Sequence, residues 1–513
     1  MFHKRSDWNP KLSRRTFLKS SALLTFGLAT RVSFGADSGQ KVPNIILLMA
    51  DDLGYGDVGF NGNKVIKTSN LDEMAKNGVK FSRFYAAAPV CSPTRATCLT
   101  GRHYLRYGIF SASIGYLPAE EITLAKMCKS LGYTTGHFGK WHLGPITKKG
   151  QTLPEYYENR LRKYAPPWER DYDQSFTTVC NVPTCNPSDN ARFDKDSQLP
   201  FFNNGEIVKK KLEGPTCRLV MDHAISFIRQ AKENKQPFFI TIWFHEPHEP
   251  VVACHKYRKM YENFNYHEQN YYGCITAMDE QIGRLRRELR ELGLAKSTMV
   301  WFCSDNGPEV IRKKGEPFWR YNSCGITAGL RGAKRSLFEG GIRVPALLEW
   351  PGQVEPGCVI NTPCSTMDYF PTIQEVLNYK IKRKNWPIDG ISILPLIKGQ
   401  MTTRPKPIPF CLFWFDQDIM FGSPKLALID NNFKFLTNLS KDGHEDLLFD
   451  LSEDPFEKRN IIEKYPERAA KMKAIIKEWL ASCKASHSGA DYDTPFTPVN
   501  HFPIITDEGI KKY

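Results

Sequence analysis

The chain has 513 residues, 41% of them hydrophobic and 12% aromatic, which is enough apolar material for a sizeable core and excludes a globally disordered protein. The length exceeds one ordinary core, so two domains, or one large α/β domain with an appendage, are expected. Formal net charge is +15, of which residues 1–36 carry +6 and the remainder +9. A basic surface favours polyanions, but no helix-turn-helix, zinc-finger or RNA-binding signature is present, so nucleic acid is not an expected partner.

The N-terminus reads Ser13-Arg14-Arg15-Thr16-Phe17-Leu18-Lys19, followed by a short apolar stretch over 21–29. Paired arginines before a modest apolar region have the pattern of a twin-arginine export signal, handed to the Tat translocase and cleaved near Gly35 or Ala36. The expected location is periplasmic or secreted. No later apolar run reaches membrane-spanning length, so no membrane insertion is expected after cleavage.

Four short apolar runs follow, each typical of a strand buried on both faces. They cover 44–50, 133–138, 237–244 and 298–303. The first ends in Asp51-Asp52 and the second, weaker one in Gly139-Lys140-Trp141-His142. The third ends in His245-Glu246-Pro247-His248 and the fourth in Ser304-Asp305-Asn306-Gly307. Helical spacing lies between them, in Val220, Ala224, Phe227 and Ile228 and again from Ile275 to Leu292, where Gly293 suits a C-terminal cap. Strands alternating with helices predict an α/β fold, with a large, mixed, mostly parallel sheet sandwiched by helices. Ligands of such sheets bind at the carboxyl ends of strands, and each predicted end here is polar.

Residues 145–215 are polar, with weak periodicity, and read as a long surface insertion within a catalytic domain over 37–400. Beyond about residue 400 the pattern changes. A strand-like run near 447–451 and a helix carrying Met472, Ile476 and Leu480 predict a smaller C-terminal α+β subdomain and tail over 401–513. Of 14 cysteines, Cys180 and Cys185 are near enough to close a small loop, although connectivity is not readable from sequence.

Asp51, Asp52, Asp305 and Asn306 offer only oxygen ligands, which suit Ca²⁺ or Mg²⁺ rather than zinc. Taken alone, Cys91 is a structural thiol, a redox thiol or a nucleophile. Its surroundings, VCSPTRATCLTGR over 90–102, narrow the choice. The C-x-P-x-R order followed by T-G-R resembles the signature of the type I, formylglycine-dependent sulfatases of the alkaline phosphatase superfamily. Gly139-Lys140-Trp141-His142, Pro247-His248-Glu249-Pro250, Ser304-Asp305-Asn306-Gly307 and Leu330-Arg331-Gly332-Ala333-Lys334 agree in order. The resemblance spans about 42–480.

The resemblance implies an alkaline phosphatase-like fold and a sulfuric ester hydrolase. It implies that a formylglycine-generating maturation enzyme oxidises Cys91 to 3-oxoalanine, whose hydrate is the nucleophile. Asp51, Asp52, Asp305 and Asn306, with the converted Cys91, would hold Ca²⁺ (or Mg²⁺), and Asp305 would also take the attacking proton. Arg95 would fix the hydrate, and Lys140 and Lys334 would neutralise the sulfate oxygens. His142 would deprotonate the second hydroxyl. His-Glu-Pro occurs twice, so His245 competes with His248 as acid to the leaving alcohol. His248 fits the family pattern better, which leaves His245 as a structural group or a substrate contact. The expected substrate is a sulfated polysaccharide or oligosaccharide of galactan or glycosaminoglycan type. The competing readings are a phosphonate monoester or phosphodiester hydrolase of the same superfamily, and a non-catalytic binder of sulfated glycans. The second would need a broken nucleophile or cation cluster, and neither is broken.

Overall fold

The computed structural model describes residues 42–146, 164–188, 200–310, 324–412 and most of 421–511. The export-signal reading and parts of the 145–215 reading lie outside these residues. All four predicted apolar runs form strands. They are β1 (Asn44–Ala50), β2 (Thr134–Lys140), β4 (Phe238–Trp243) and β5 (Thr298–Ser304), with β3 (Gln174–Thr178) between the second and third. Every residue of β1, β4 and β5 is buried, as both-face burial requires. These five strands form the parallel heart of a ten-stranded sheet, in the order β5-β1-β4-β2-β3. Beyond β5 the strand β6 (Ala346–Glu349) runs antiparallel, and beyond β3 two short antiparallel strands, Phe202–Asn203 and Glu206–Ile207, close the other edge.

Helix α1 (Cys91–Thr100), α2 (Thr216–Glu233) and α3 (Tyr266–Glu291) lie in the connections. Helix α2 buries Val220, Ala224, Phe227 and Ile228, the residues whose spacing predicts it. Helix α3 starts on a capping box of Asn265 and Glu268, and the chain leaves it through Gly293 at φ +68°. A separate antiparallel sheet follows, made of β7 (Ile408–Cys411), β8 (Leu426–Asp430), β9 (Phe433–Thr437) and β10 (Leu447–Asp450). The last long helix, α4 (Pro466–His487), buries Met472, Ile476 and Leu480. Among the described residues no helix is long and apolar enough to cross a membrane.

The structure departs from the sequence reading in three places. The 145–215 segment is not wholly a surface loop, because β3 lies inside it and pairs in parallel with β2, Lys140 opposite Thr178. Gln-Ser-Phe-Thr-Thr holds one strongly apolar residue, so its period is invisible in sequence. Strand β2 runs two residues past the apolar run and takes Lys140 into the sheet. There, Gly139 sits at φ +106° where a Cβ would collide with the Trp243 carbonyl. Finally, Cys185 pairs with Cys254 rather than Cys180, which is a buried free thiol.

Candidate active site

The carboxyl ends of the parallel strands converge. Asp51 N–H donates to Glu246 O (2.9 Å) and Asp305 N–H to Ala50 O (3.1 Å), carrying the ladder just past the strands. Asp51, Asp52, Asp305 and Asn306 are at most 1% exposed. Asp52 adopts φ +65°, a left-handed conformation that costs roughly 1–3 kcal/mol and persists only where neighbours hold it. Its N–H donates to Asp305 Oδ1 (3.1 Å), and its Oδ1 accepts from Asn306 Nδ2 (2.7 Å).

Three buried cations answer the three carboxylates. Lys140 Nζ is 2.6 Å from Asp51 Oδ2, and Lys334 Nζ is 2.7 Å from Asp52 Oδ2. Arg95 donates to Asp305 Oδ2 through Nε (2.9 Å) and Nη2 (2.6 Å), with its guanidinium 5.2 Å from the Trp243 ring centroid. Burial raises the Asp51 and Asp52 carboxyls, but Lys140 and His248 at the first and Lys334 and His248 at the second outweigh it and hold both low. Burial and the Asp51 charge push Asp305 up, against Arg95.

Cys91 opens α1, and Arg95 lies one helical turn later on the same face, which is why the C-x-P-x-R spacing brings both to one place. Pro93 is tolerated because the first turn needs no amide donor. The Cys91 thiol donates to Asp51 Oδ1 (3.6 Å), and burial pushes it well above the ordinary thiol range. An unmodified Cys91 is therefore a poor thiolate nucleophile.

One ligand atom each from Asp51, Asp52, Cys91 and His248 lies within 4.8 Å of the others. Three of these belong to the predicted cation set. Asp305 stands beside the cluster, its oxygens engaged by Arg95 and by the Asp52 N–H. Asn306 touches the cluster through Nδ2, and its Oδ1 is buried without a hydrogen-bond partner among the described residues.

The two histidines of the repeated motif separate. His248 Nε2 is 3.6 Å from Asp52 Oδ2, and its Nδ1 donates to Glu249 O (2.7 Å). Burial and Lys334 push it down to about 4, against Asp52. His245 is fully buried, with Nε2 3.5 Å from the Thr178 hydroxyl and its ring against Phe201. His142 lies at φ +58°, with Nε2 2.6 Å from Ser113 Oγ and 3.4 Å from Cys180 Sγ. Burial, Lys140 and Arg95 hold it well below the ordinary imidazole range. The loop after β3 is tied to the segment after His248 by the Cys185–Cys254 disulfide and by Asn181 Nδ2 donating to Glu249 O (2.6 Å). Nothing in the sequence marks Ser113, Asn181 or Trp243 as part of a site, and Cys180 stands out there only as a disulfide candidate. None lies in the matching motifs, and only the β2–β3 register brings Cys180 beside His142.

The arrangement is a buried floor of three cations, oxygen ligands and two imidazoles held below their ordinary range, suited to hydrolysis of an anionic ester. A family model described as Sulfatase matches residues 43–379. This chain belongs to the sulfatase family. A second model, N-sulphoglucosamine sulphohydrolase, C-terminal, matches residues 332–485 of the sulfatase. Arylsulfatase A of Bos taurus is 30% identical, over 91% of this chain and 92% of its own length. N-acetylgalactosamine-6-sulfatase of Mus musculus is 31% identical, over 72% of this chain and 69% of its own. Among solved structures, Ps i-CgsB in complex with k-i-k-neocarrahexaose superposes with a TM-score of 0.71 at 27% identity, covering 86% of this sulfatase and 93% of its own chain. The fold class, the family and the sulfuric ester hydrolase activity read from the motifs thus stand.

Proposed function

We propose that this sulfatase is exported and removes sulfate from a sulfated polysaccharide or oligosaccharide, using a formylglycine made from Cys91. The observation that carries the chemistry is Cys91, at the start of its C-x-P-x-R turn, within 4.8 Å of the Asp51, Asp52 and His248 ligand atoms. A carbohydrate substrate is supported by the likeness to a structure holding a neocarrahexaose and to an N-acetylgalactosamine-6-sulfatase. The Ser13–Lys19 pattern with its paired arginines supports Tat export to the periplasm or beyond.

A divalent cation fits the residues present. The buried Asn306 Oδ1 has no donor among the described residues, and leaving such an acceptor unpaired costs about 1–3 kcal/mol. Asp51, Asp52, Asp305 and Asn306 would hold the ion, and an all-oxygen set suits Ca²⁺ or Mg²⁺. When present, the ion and the converted Cys91 supply an acidified hydroxyl as nucleophile. Even fully ionised, the three aspartates only match the three cations in charge, so an added divalent ion leaves the site positive for an anionic sulfate ester.

The chain's own residues do the rest. Lys140 and Lys334 bind sulfate oxygens as charge develops on them, and burial makes each contact stronger than it would be in water. Arg95, fixed by Asp305 and Trp243, orients the residue-91 group. His248 carries its ring hydrogen on Nδ1, because the Glu249 carbonyl can only accept, so Nε2 is the atom that serves the leaving oxygen. An anionic ester beside Nε2 favours its protonation. His142 removes a proton from the residue-91 group.

A panel of defined sulfated oligosaccharides, run beside an aryl sulfate and an aryl phosphodiester, tests the proposal. Sulfate release from one or more saccharides is expected. Faster phosphodiester turnover, or activity confined to small aryl sulfates, overturns it.

A further inference from the structure

His142 must act through one particular nitrogen, and its surroundings select which. Strands β2 and β3 pair in parallel with Lys140 opposite Thr178, and two residues past the end of each strand His142 and Cys180 stand side by side. The continuation is held by backbone bonds from Trp141 N–H to Thr178 O (3.0 Å) and from His142 N–H to Val179 O (2.9 Å). His142 Nε2 then meets Cys180 Sγ at 3.4 Å and Ser113 Oγ at 2.6 Å. Its Nδ1 is buried and has no hydrogen-bond partner among the described residues.

The hydrogens can be placed from outside inward. Glu249 O only accepts, and Asn181 Nδ2 donates to it at 2.6 Å, which fixes the amide and turns its Oδ1 into an acceptor. The Cys180 thiol donates its single hydrogen to that Oδ1 at 2.7 Å. Burial keeps this thiol protonated. Its sulfur therefore faces His142 as an acceptor, and Nε2–H is the donor that matches both Cys180 Sγ and Ser113 Oγ. The opposite tautomer would leave a buried Nδ1–H unpaired, the rarer and costlier arrangement. Ser113 is itself anchored, its N–H donating to Ser92 Oγ (3.1 Å) beside Cys91.

We propose that Ser113, Cys180 and Asn181 are positioning residues that hold His142 as its Nε2–H tautomer, leaving Nδ1 as the bare nitrogen that takes a proton from the residue-91 group. In that step the O–H bond of the residue-91 group breaks, its proton passes to the Nδ1 lone pair while the bonding electrons stay on the oxygen, and the imidazole becomes a cation bonded through Nε2–H to Ser113 and Cys180. The inference rests on the sulfatase reading for the step, but not for the tautomer.

Nitrogen-15 NMR of histidine-labelled protein reads the tautomer directly, with the His142 signals assigned by their loss in His142→Gln. The expected wild-type result is a hydrogen on Nε2 and a bare Nδ1. Ser113→Ala combined with Cys180→Ala is expected to lose this preference and lower kcat at least about tenfold, with KM within about twofold. Cys180→Ser alone, which keeps an O–H donor and an acceptor, is expected to retain both the tautomer and most of kcat. A hydrogen on Nδ1 in the wild type overturns the proposal without any variant having to fold. Unchanged kcat in a folded double variant overturns it as well. Nε2–H in a protein that releases sulfate from no ester would uphold the tautomer and overturn the sulfatase reading instead.

Discussion

His248 and His142 occupy the same floor and are both neutral in the free protein, yet their hydrogen-bond partners give them opposite protonation patterns. His248 donates from Nδ1 and presents Nε2, whereas His142 sits between two groups at Nε2 and leaves Nδ1 open. An acid serving the leaving oxygen matters most when that oxygen is a poor leaving group. His248→Ala is therefore expected to cost about 10²–10⁴-fold in kcat/KM on a sugar sulfate and far less on a nitrophenyl sulfate. Equal losses on both substrates would assign His248 to sulfate binding. At this scale the sequence was most informative. The two Asp residues, the Cys-to-Arg turn and Lys140 were legible because each lies in a motif at a strand or helix end, whereas Lys334 lies in a turn and is marked by its motif alone. Ser113 and Cys180 were not, since their contacts come from tertiary register rather than from neighbours in the chain.

Single elements are tied down by buried charge. Arg106, just after α1, donates to both oxygens of Asp389 (2.6 and 2.7 Å) and to Ser482 and Ser486 of α4. Burial raises the Asp389 carboxyl, but Arg106 overcomes it and holds the group far below its ordinary range. A depressed carboxyl stabilises the fold above its unfolded value, near about 4, and that stabilisation fades as pH falls toward the folded value. Asp389→Asn is expected to cost about 3–5 kcal/mol at neutral pH, because Arg106 is left buried and unpaired. The gap from wild type should narrow below about pH 4, measured by urea unfolding across pH. A gap independent of pH would contradict this pairing. Strands β1, β2, β4 and β5 were readable as apolar runs, whereas the shorter buried strands β6 and β7 were not. Nor was strand β3, because hydroxyl side chains pack its faces and hide its period.

Across the molecule, a ten-stranded sheet presents the site at its carboxyl edge, and a disulfide closes the loops around it. The Cys185–Cys254 bridge spans 69 residues and links the Cys180 loop to the chain just after His248. On chain-entropy grounds its loss should destabilise the fold by up to about 4 kcal/mol. Cys185→Ser is expected to lower Tm and also kcat, since both imidazoles border the loops it joins. A lowered Tm with unchanged kcat would make the bridge purely structural. Loop pairings of this kind could not be read from cysteine spacing, which favoured the nearer Cys180. Cys91 stands at the centre of the proposed chemistry: burial pushes its thiol well above the ordinary thiol range, and its sulfur lies within 4.8 Å of ligand atoms of Asp51, Asp52 and His248. Mass spectrometry of the Cys91 peptide, from protein made in its own host and active on a sulfate ester, tests that chemistry most directly. The account predicts an aldehyde in place of the thiol, and an unmodified cysteine in fully active protein would contradict it.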